Sequence, residues 1–351
     1  MAGRRSAQGA DGQCLVPGAS ARRAGSTDRP RPLFSRGASA ILGIEPGRVD
    51  WAGIQTYAHA GATADTRHGR RPVLLYSPGF WNERTVGSAL PVELASQGYV
   101  VVTVDHTYEA HAVEFPDGRV ATPLIPQTDP VGRMRAALPV RVADIRFVLD
   151  QLGVLARGGN PDAGRRALPD GLGRLLDLSR VGAFGHSAGG LTAAQAMYED
   201  RRIDAGVNLD GPLGYDWTSP DQLAPVARHG LDRPLLLMGA RLPDASPHTH
   251  RTSPSWASYW RHATGPKVDL WLPDAGHNTF TDYPALLPVL AERVTLPDGL
   301  LEGLIGTVGP ARSLAAQRAY LVAFFDRYLL DRRSALLDRP SPRFPEVTFV
   351  Q

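Results

Sequence analysis

Val181-Gly182-Ala183-Phe184-Gly185-His186-Ser187-Ala188-Gly189-Gly190, running into Leu191 to Met197, joins a short apolar run, a glycine-flanked serine and a helix-forming run without a break. The pattern is Gly-x-Ser-x-Gly in the context that gives it meaning: a buried strand enters, a tight turn presents the serine, and a helix leaves. Such a turn forces the serine into a strained backbone conformation and leaves no room for side chains at Gly185 and Gly189. A chance glycine-serine turn behind a strand would account for the glycines, but not for the partner residues that follow in order.

Outward from this turn, the chain from about residue 70 alternates short apolar runs with longer amphipathic ones. Val73 to Tyr76, Tyr99 to Val104, Val181 to Phe184, Ala205 to Leu209, Leu235 to Met238 and Val268 to Leu272 are rich in Val and Leu and bounded by Gly, Pro or Asp, as buried strands are. Ser88 to Gln97, Arg133 to Leu152, Ala188 to Asp200 and Ser313 to Leu330 carry apolar residues at helical spacing. The alternation predicts an α/β fold with a mostly parallel central sheet and helices on both faces. Residues 155–173, rich in Gly, Pro and Arg, read as a surface loop. Residues 279–312 read as a helical excursion over the sheet edge and an expected lid.

Composition narrows the function classes. In 351 residues, 43% are apolar and 21% charged, the balance of a folded protein. The single cysteine, Cys14, excludes an internal disulfide and a thiolate metal site. A formal charge of +3 is spread along the chain, without an Arg block interleaved with aromatics, so a nucleic-acid partner is not expected. No apolar run approaches the roughly 20 residues that span a bilayer, so no stable membrane insertion is expected. The arginine pairs Arg4-Arg5 and Arg22-Arg23 are not followed by a signal-like apolar region. Residues 1–38 are therefore expected to be a flexible tail, with a misassigned start site as the alternative, residues 39–351 a single domain, and the location cytoplasmic.

A serine hydroxyl needs a base, and in this architecture the partners follow in the order serine, acid, histidine. His277 lies 90 residues after Ser187, in the turn Pro273-Asp274-Ala275-Gly276-His277-Asn278 behind the last predicted strand. His106 and His111 precede the serine and break the order; the side chain of His186 should point away from the serine oxygen. His248 and His250 form a His-x-His pair expected in a solvated loop, since a metal there would need further ligands. For the acid, Asp210 and Asp244 both follow strands after Ser187, and spacing leaves both open. Asp274 reads as a turn residue.

Several segments together resemble the platelet-activating factor acetylhydrolase family of α/β-hydrolases. They are Leu74-Leu75-Tyr76-Ser77-Pro78-Gly79-Phe80, Glu83-Arg84-Thr85, Leu94 to Val100, Val104-Asp105-His106, Asp177-Leu178-Ser179-Arg180, Asn208-Leu209-Asp210 and Gly276-His277-Asn278 with Phe280 and Asp282. The likeness covers roughly residues 45–335 and implies the α/β-hydrolase fold. It places the acid behind the strand that follows the nucleophile helix, which favours Asp210 over Asp244. It also implies an oxyanion hole made by the backbone N–H groups of Phe80 and Ala188, with Trp81 as a candidate wall of the acyl pocket or as ordinary packing. Pro78-Gly79 departs from the His-Gly of the animal members and is similar to bacterial lipases and polyester-cleaving cutinases.

The implied activity is hydrolysis of short-chain acyl esters through an acyl-enzyme on Ser187, extending to the sn-2 acetyl or oxidised acyl groups of phospholipids. The expected partner is a small-molecule or lipid ester, and no cofactor is called for. An acyltransferase or thioesterase would share every catalytic residue. A binding protein on the same fold would not need the serine, histidine, acid and Pro-Gly turn together.

Overall fold

A computed structural model describes residues 11–15, 30–32, 55–59, 61–126, 128–242, 244–292 and 296–351. The strands are β1 (Asp11–Leu15), β2 (Pro30–Pro32), β3 (Gln55–His59), β4 (Arg71–Ser77), β5 (Val100–Asp105), β6 (Val113–Glu114), β7 (Val120–Ala121), β8 (Leu176–His186), β9 (Ala205–Leu209), β10 (Leu235–Gly239), β11 (Lys267–Trp271) and β12 (Thr348–Phe349). Eight of them form one sheet in the order β1-β5-β4-β8-β9-β10-β11-β12. The six central strands pair in parallel. The edge strands β1 and β12 run antiparallel to their neighbours.

Each predicted apolar run is one of the six central strands, and β4, β5, β9 and β10 are buried almost throughout. Burial on both faces is why their sequences read as continuous apolar runs rather than alternating ones. Within β4 the faces still separate. Val73 and Leu75 pack against Leu138, Val142, Ile145 and Leu149 of the helix Pro130–Ala156. Leu74 and Tyr76 pack with Tyr320, Phe324 and Phe325 of the helix Pro310–Leu330. The arrangement is a sheet between two helical layers, the α/β-hydrolase architecture, and truncating a core aromatic such as Phe325 to Ala would cost about 3–5 kcal/mol.

One stretch departs from expectation. Within the stretch read as a flexible tail, Asp11–Leu15 is a strand whose backbone pairs with the otherwise open edge of β5 from Val101 to Asp105, and Pro30–Pro32 pairs with β3. Pairing satisfies edge groups whatever the side chains, so no apolar pattern announces it. The rest of residues 1–38 lies outside the described residues. Residues 279–312, read as a helical excursion, include among the described residues the helices Tyr283–Ala291 and Leu300–Ile305. The first is anchored in the body of the protein by buried Leu286, Leu287 and Leu290. Among the described residues no helix is long and apolar enough to cross a membrane.

Candidate active site

The nucleophile turn forms as the motif requires. β8 ends at His186, Ser187 holds φ 57° and ψ −124°, and the helix Ala188–Glu199 begins at the next residue. A positive φ at a non-glycine residue is strained and persists only where the surroundings fix it. Here the Ser187 N–H donates to the Leu209 carbonyl at 2.9 Å, and its carbonyl accepts from Gly190 N–H at 2.9 Å. A Cβ on Gly189 would run into the carbonyl oxygens of Ser77 and Pro78, and one on Gly185 into Ser77 O. The two motif glycines thus let the turn close against the end of β4.

Asp210, directly behind β9, also has a positive φ, 55°. Its turn is shaped by Asn208, whose side chain accepts from Gly211 N–H and donates to Gly211 O, both at 2.8 Å. The result aims the Asp210 carboxylate at the loop behind β11, where His277 Nδ1 donates to Oδ2 at 2.6 Å. Burial alone would raise this carboxyl's pKa, but the hydrogen bonds from His248 and His277 outweigh it and hold the group ionised, well below the usual carboxylate range. Asp244 is exposed and its carboxylate accepts from Ser246 N–H and Oγ–H, so it takes no part in this cluster. His186 Nε2–H donates to the His277 carbonyl at 2.9 Å and ties the nucleophile turn to the histidine loop.

Of the two residues expected to supply the backbone donors of an oxyanion hole, Ala188 directly follows Ser187 and Phe80 directly follows Gly79. Gly79 lies against Ser187, since a Cβ placed on it would be 3.5 Å from Ser187 Cβ. Neither Phe80 N–H nor Ala188 N–H is taken up by another group among the described residues. Trp81 follows with φ 67°, packs edge-on to Phe80 at 5.2 Å and stacks on His111 at 5.5 Å.

Beneath these donors lies a buried polar network that the sequence reading passed over. Ser77 Oγ–H donates to His106 Nε2 at 2.8 Å, and His106 Nδ1–H donates to Asp144 Oδ2 at 2.9 Å. Burial and the neighbouring Arg141 push the His106 pKa far down, so the ring is neutral and fits this one-donor, one-acceptor role. Arg141 is completely buried. It donates to the Pro78 carbonyl, to Glu109 and, at 2.9 Å, to Thr192 Oγ1, while Thr192 donates to the Ala188 carbonyl at 2.7 Å. One guanidinium therefore ties the Pro78-Gly79 turn to the first turn of the nucleophile helix. Its signal is an arginine inside the apolar stripe Leu138, Val142, Ile145, where a solvated charge has no place. Nearby, Arg84 N–H donates to Asp105 Oδ1 at 2.6 Å, which pairs two of the segments that carried the resemblance.

The His-x-His pair corrects the expectation of a solvated loop. His248 is fully buried and its Nδ1–H donates to Asp210 Oδ1 at 2.8 Å; His250 donates to the buried Asp269 at 2.6 Å. The rings stack on Trp256 and Trp260, one helical turn apart on Pro254–His262. Two carboxylates at the sheet needed donors, and this loop supplies them. The sequence signal was the Trp-x-x-x-Trp that follows His-x-His. Trp217 packs 5.2 Å from both His248 and His277. Beside His277 opens a pocket of about 420 Å³, lined in part by Arg241, Leu242, Gly299 and Glu302. Among the described residues no three His, Cys, Asp or Glu side chains converge as a metal site would need.

A family model described as platelet-activating factor acetylhydrolase, isoform II, matches residues 48–116. A probable 1-alkyl-2-acetylglycerophosphocholine esterase of Arthroderma benhamiae is 32% identical over 308 residues, 85% of this chain and 69% of the relative. The platelet-activating factor acetylhydrolase of Cavia porcellus is 30% identical over 168 residues, 41% of this chain and 36% of the relative. Among solved structures, a ferulic acid esterase from Streptomyces cinnamoneus is 37% identical with a TM-score of 0.74, covering 97% of this chain and 89% of its own. On the strength of the fungal relative, matched along most of both chains, this chain belongs to the platelet-activating factor acetylhydrolase family of serine ester hydrolases.

Proposed function

We propose that Ser187, His277 and Asp210 are the catalytic triad of a hydrolase for short-chain acyl esters, including the sn-2 acetyl or oxidised acyl groups of glycerophospholipids. The observation that carries this reading is the 2.6 Å hydrogen bond from His277 to the buried Asp210, beside a serine held at φ 57° on the nucleophile turn. Because Asp210 accepts from Nδ1–H, the lone pair of His277 lies on Nε2, the nitrogen that must take the serine proton. Ser187 Oγ then attacks the ester carbonyl, and Phe80 and Ala188 N–H receive the developing oxyanion. His277 returns the proton to the leaving alcohol, and water clears the acyl-enzyme by the same route. Trp81 forms one wall of the acyl pocket, and residues 39–351 act as one domain in which 279–312 cover the histidine side through Gly299 and Glu302.

The likeness to a ferulic acid esterase over nearly the whole chain favours a second reading, in which the acyl group is an aromatic acid. A panel of acetyl, butyryl and octanoyl esters together with methyl ferulate separates the two. The first reading predicts that kcat/KM is highest for acetyl and falls with chain length, and that Ser187→Ala lowers kcat on the order of 10⁶-fold. Turnover of methyl ferulate above the acetyl ester would replace it with the second.

A further inference from the structure

The triad acid has two oxygens, and only one of them faces His277. The other, Oδ1, accepts the Ala240 N–H at 2.8 Å and the Nδ1–H of His248 at 2.8 Å. His248 comes from the loop behind β10, the loop that also carries Asp244. Its ring is fully buried, stacked on Trp256 at 3.9 Å and flanked by Trp217, and its Nε2 has no hydrogen-bond partner. A second proton there would sit on a buried, unpaired N–H, so the geometry allows a neutral ring with its single proton on Nδ1. His277 differs in the one respect that matters for proton transfer: a third of its side chain is exposed, 34% against none for His248. The same carboxylate thus holds two imidazoles, one facing the substrate side and one sealed off. Other titratable groups around them include His186, which is bonded to the His277 backbone, the Asp269–His250 pair behind the loop, and Arg241 and Glu302 in the pocket beside His277.

We propose that His248 is a positioning residue of the esterase reaction, a neutral donor that fixes the plane of the Asp210 carboxylate so that Oδ2 alone is presented to His277. This rests on the triad reading given above. A buried carboxylate must have its oxygens met by donors, and the donors that meet them fix its orientation. Ala240 N–H supplies one bond to Oδ1, but a single donor leaves the carboxylate free to turn about it. The second, from a ring held between two tryptophans, removes that freedom. With His248 in place the His277 Nδ1–H bond is aligned before substrate arrives, and Nε2 is aimed at the serine. Without it the acid can rotate, and the loss falls on the chemical step rather than on substrate binding.

Two substitutions separate positioning from mere packing. His248→Phe keeps a ring against Trp256 but removes the donor, while His248→Asn can place an amide N–H close to the lost Nδ1–H. For a short acyl ester, the Phe variant is expected to lose on the order of tenfold in kcat with KM unchanged, as loss of one hydrogen bond to a charged group implies, and the Asn variant to recover most of it. In proton spectra of the wild type, each histidine bonded to Asp210 should give a strongly deshielded imidazole N–H signal; His248→Phe should abolish one and shift that of His277. Unchanged kcat in His248→Phe would overturn the proposal, and so would equal losses in both variants that track their melting temperatures. Should the Phe variant fail to fold, the Asn variant and the wild-type spectrum decide. A spectrum whose only such signal disappears in His277→Ala contradicts the proposal. Ser187→Ala, assayed alongside, keeps the two readings apart, since full activity there would dismiss the triad whatever His248 does.

Discussion

Asp210 combines a left-handed backbone, complete burial and two imidazole donors, and each of these would be costly without the others. The ionised carboxylate is sustained by His248 and His277 despite burial, so its pKa is depressed in the fold. Its contribution to stability is present above the ordinary carboxylate pKa of about 4 and is lost as pH falls below it. As triad acid, Asp210→Asn should lower kcat by on the order of 10³–10⁴, the scale seen when such an acid is neutralised. Asp244→Asn, on the exposed carboxylate bonded to Ser246, should leave kcat unchanged, and steady-state kinetics of the two variants check the assignment. The reverse result would move the acid to the next strand. Chain order sufficed to nominate Ser187 and His277. It could not choose between two aspartates that each follow a strand, because the difference lies in φ and aim, which spacing does not encode. His248 reads as solvated for the same reason: its partner Asp210 is 38 residues away in sequence.

At the scale of elements, the helix Ala89–Ser96 shows how distant segments complete one another. Its N-terminal N–H groups at Ser88 and Ala89 are capped by the Asp282 carboxylate at 2.6 and 2.9 Å, across more than 190 residues. Burial nonetheless raises the pKa of Asp282 from 3.8 to about 7, against these two hydrogen bonds. A carboxyl raised in the fold lends stability that is full below its unfolded pKa and is lost as pH rises through the folded value. Wild type should therefore lose thermal stability relative to Asp282→Asn between pH 4 and pH 8, whatever constant offset the amide introduces. Melting curves across that range check this, and a gap that does not change with pH would contradict it. The six central strands were legible because burial on both faces leaves a continuous apolar run. The edge strands Asp11–Leu15 and Thr348–Phe349 were not, since an edge needs only backbone pairing, and two or five residues carry too little pattern.

Over the whole molecule, five neighbouring parallel strands deliver the site in spatial order at their C-terminal ends. β4 leads to Pro78-Gly79-Phe80, β8 to Ser187, β9 to Asp210, β10 to Ala240 and His248, and the turn behind β11 to His277. This is where open α/β sheets place ligands, because the carboxyl ends leave a crevice that loops can line. The buried Arg141 network fastens the first two of these ends together from below, and Asp210 joins the last three. The central claim is that this convergence activates Ser187. Labelling the purified protein with a fluorophosphonate and mapping the adduct by mass spectrometry tests it most directly. Modification confined to Ser187 and abolished in Ser187→Ala is the predicted result; folded protein that takes up no label, or takes it up at another serine, would contradict it.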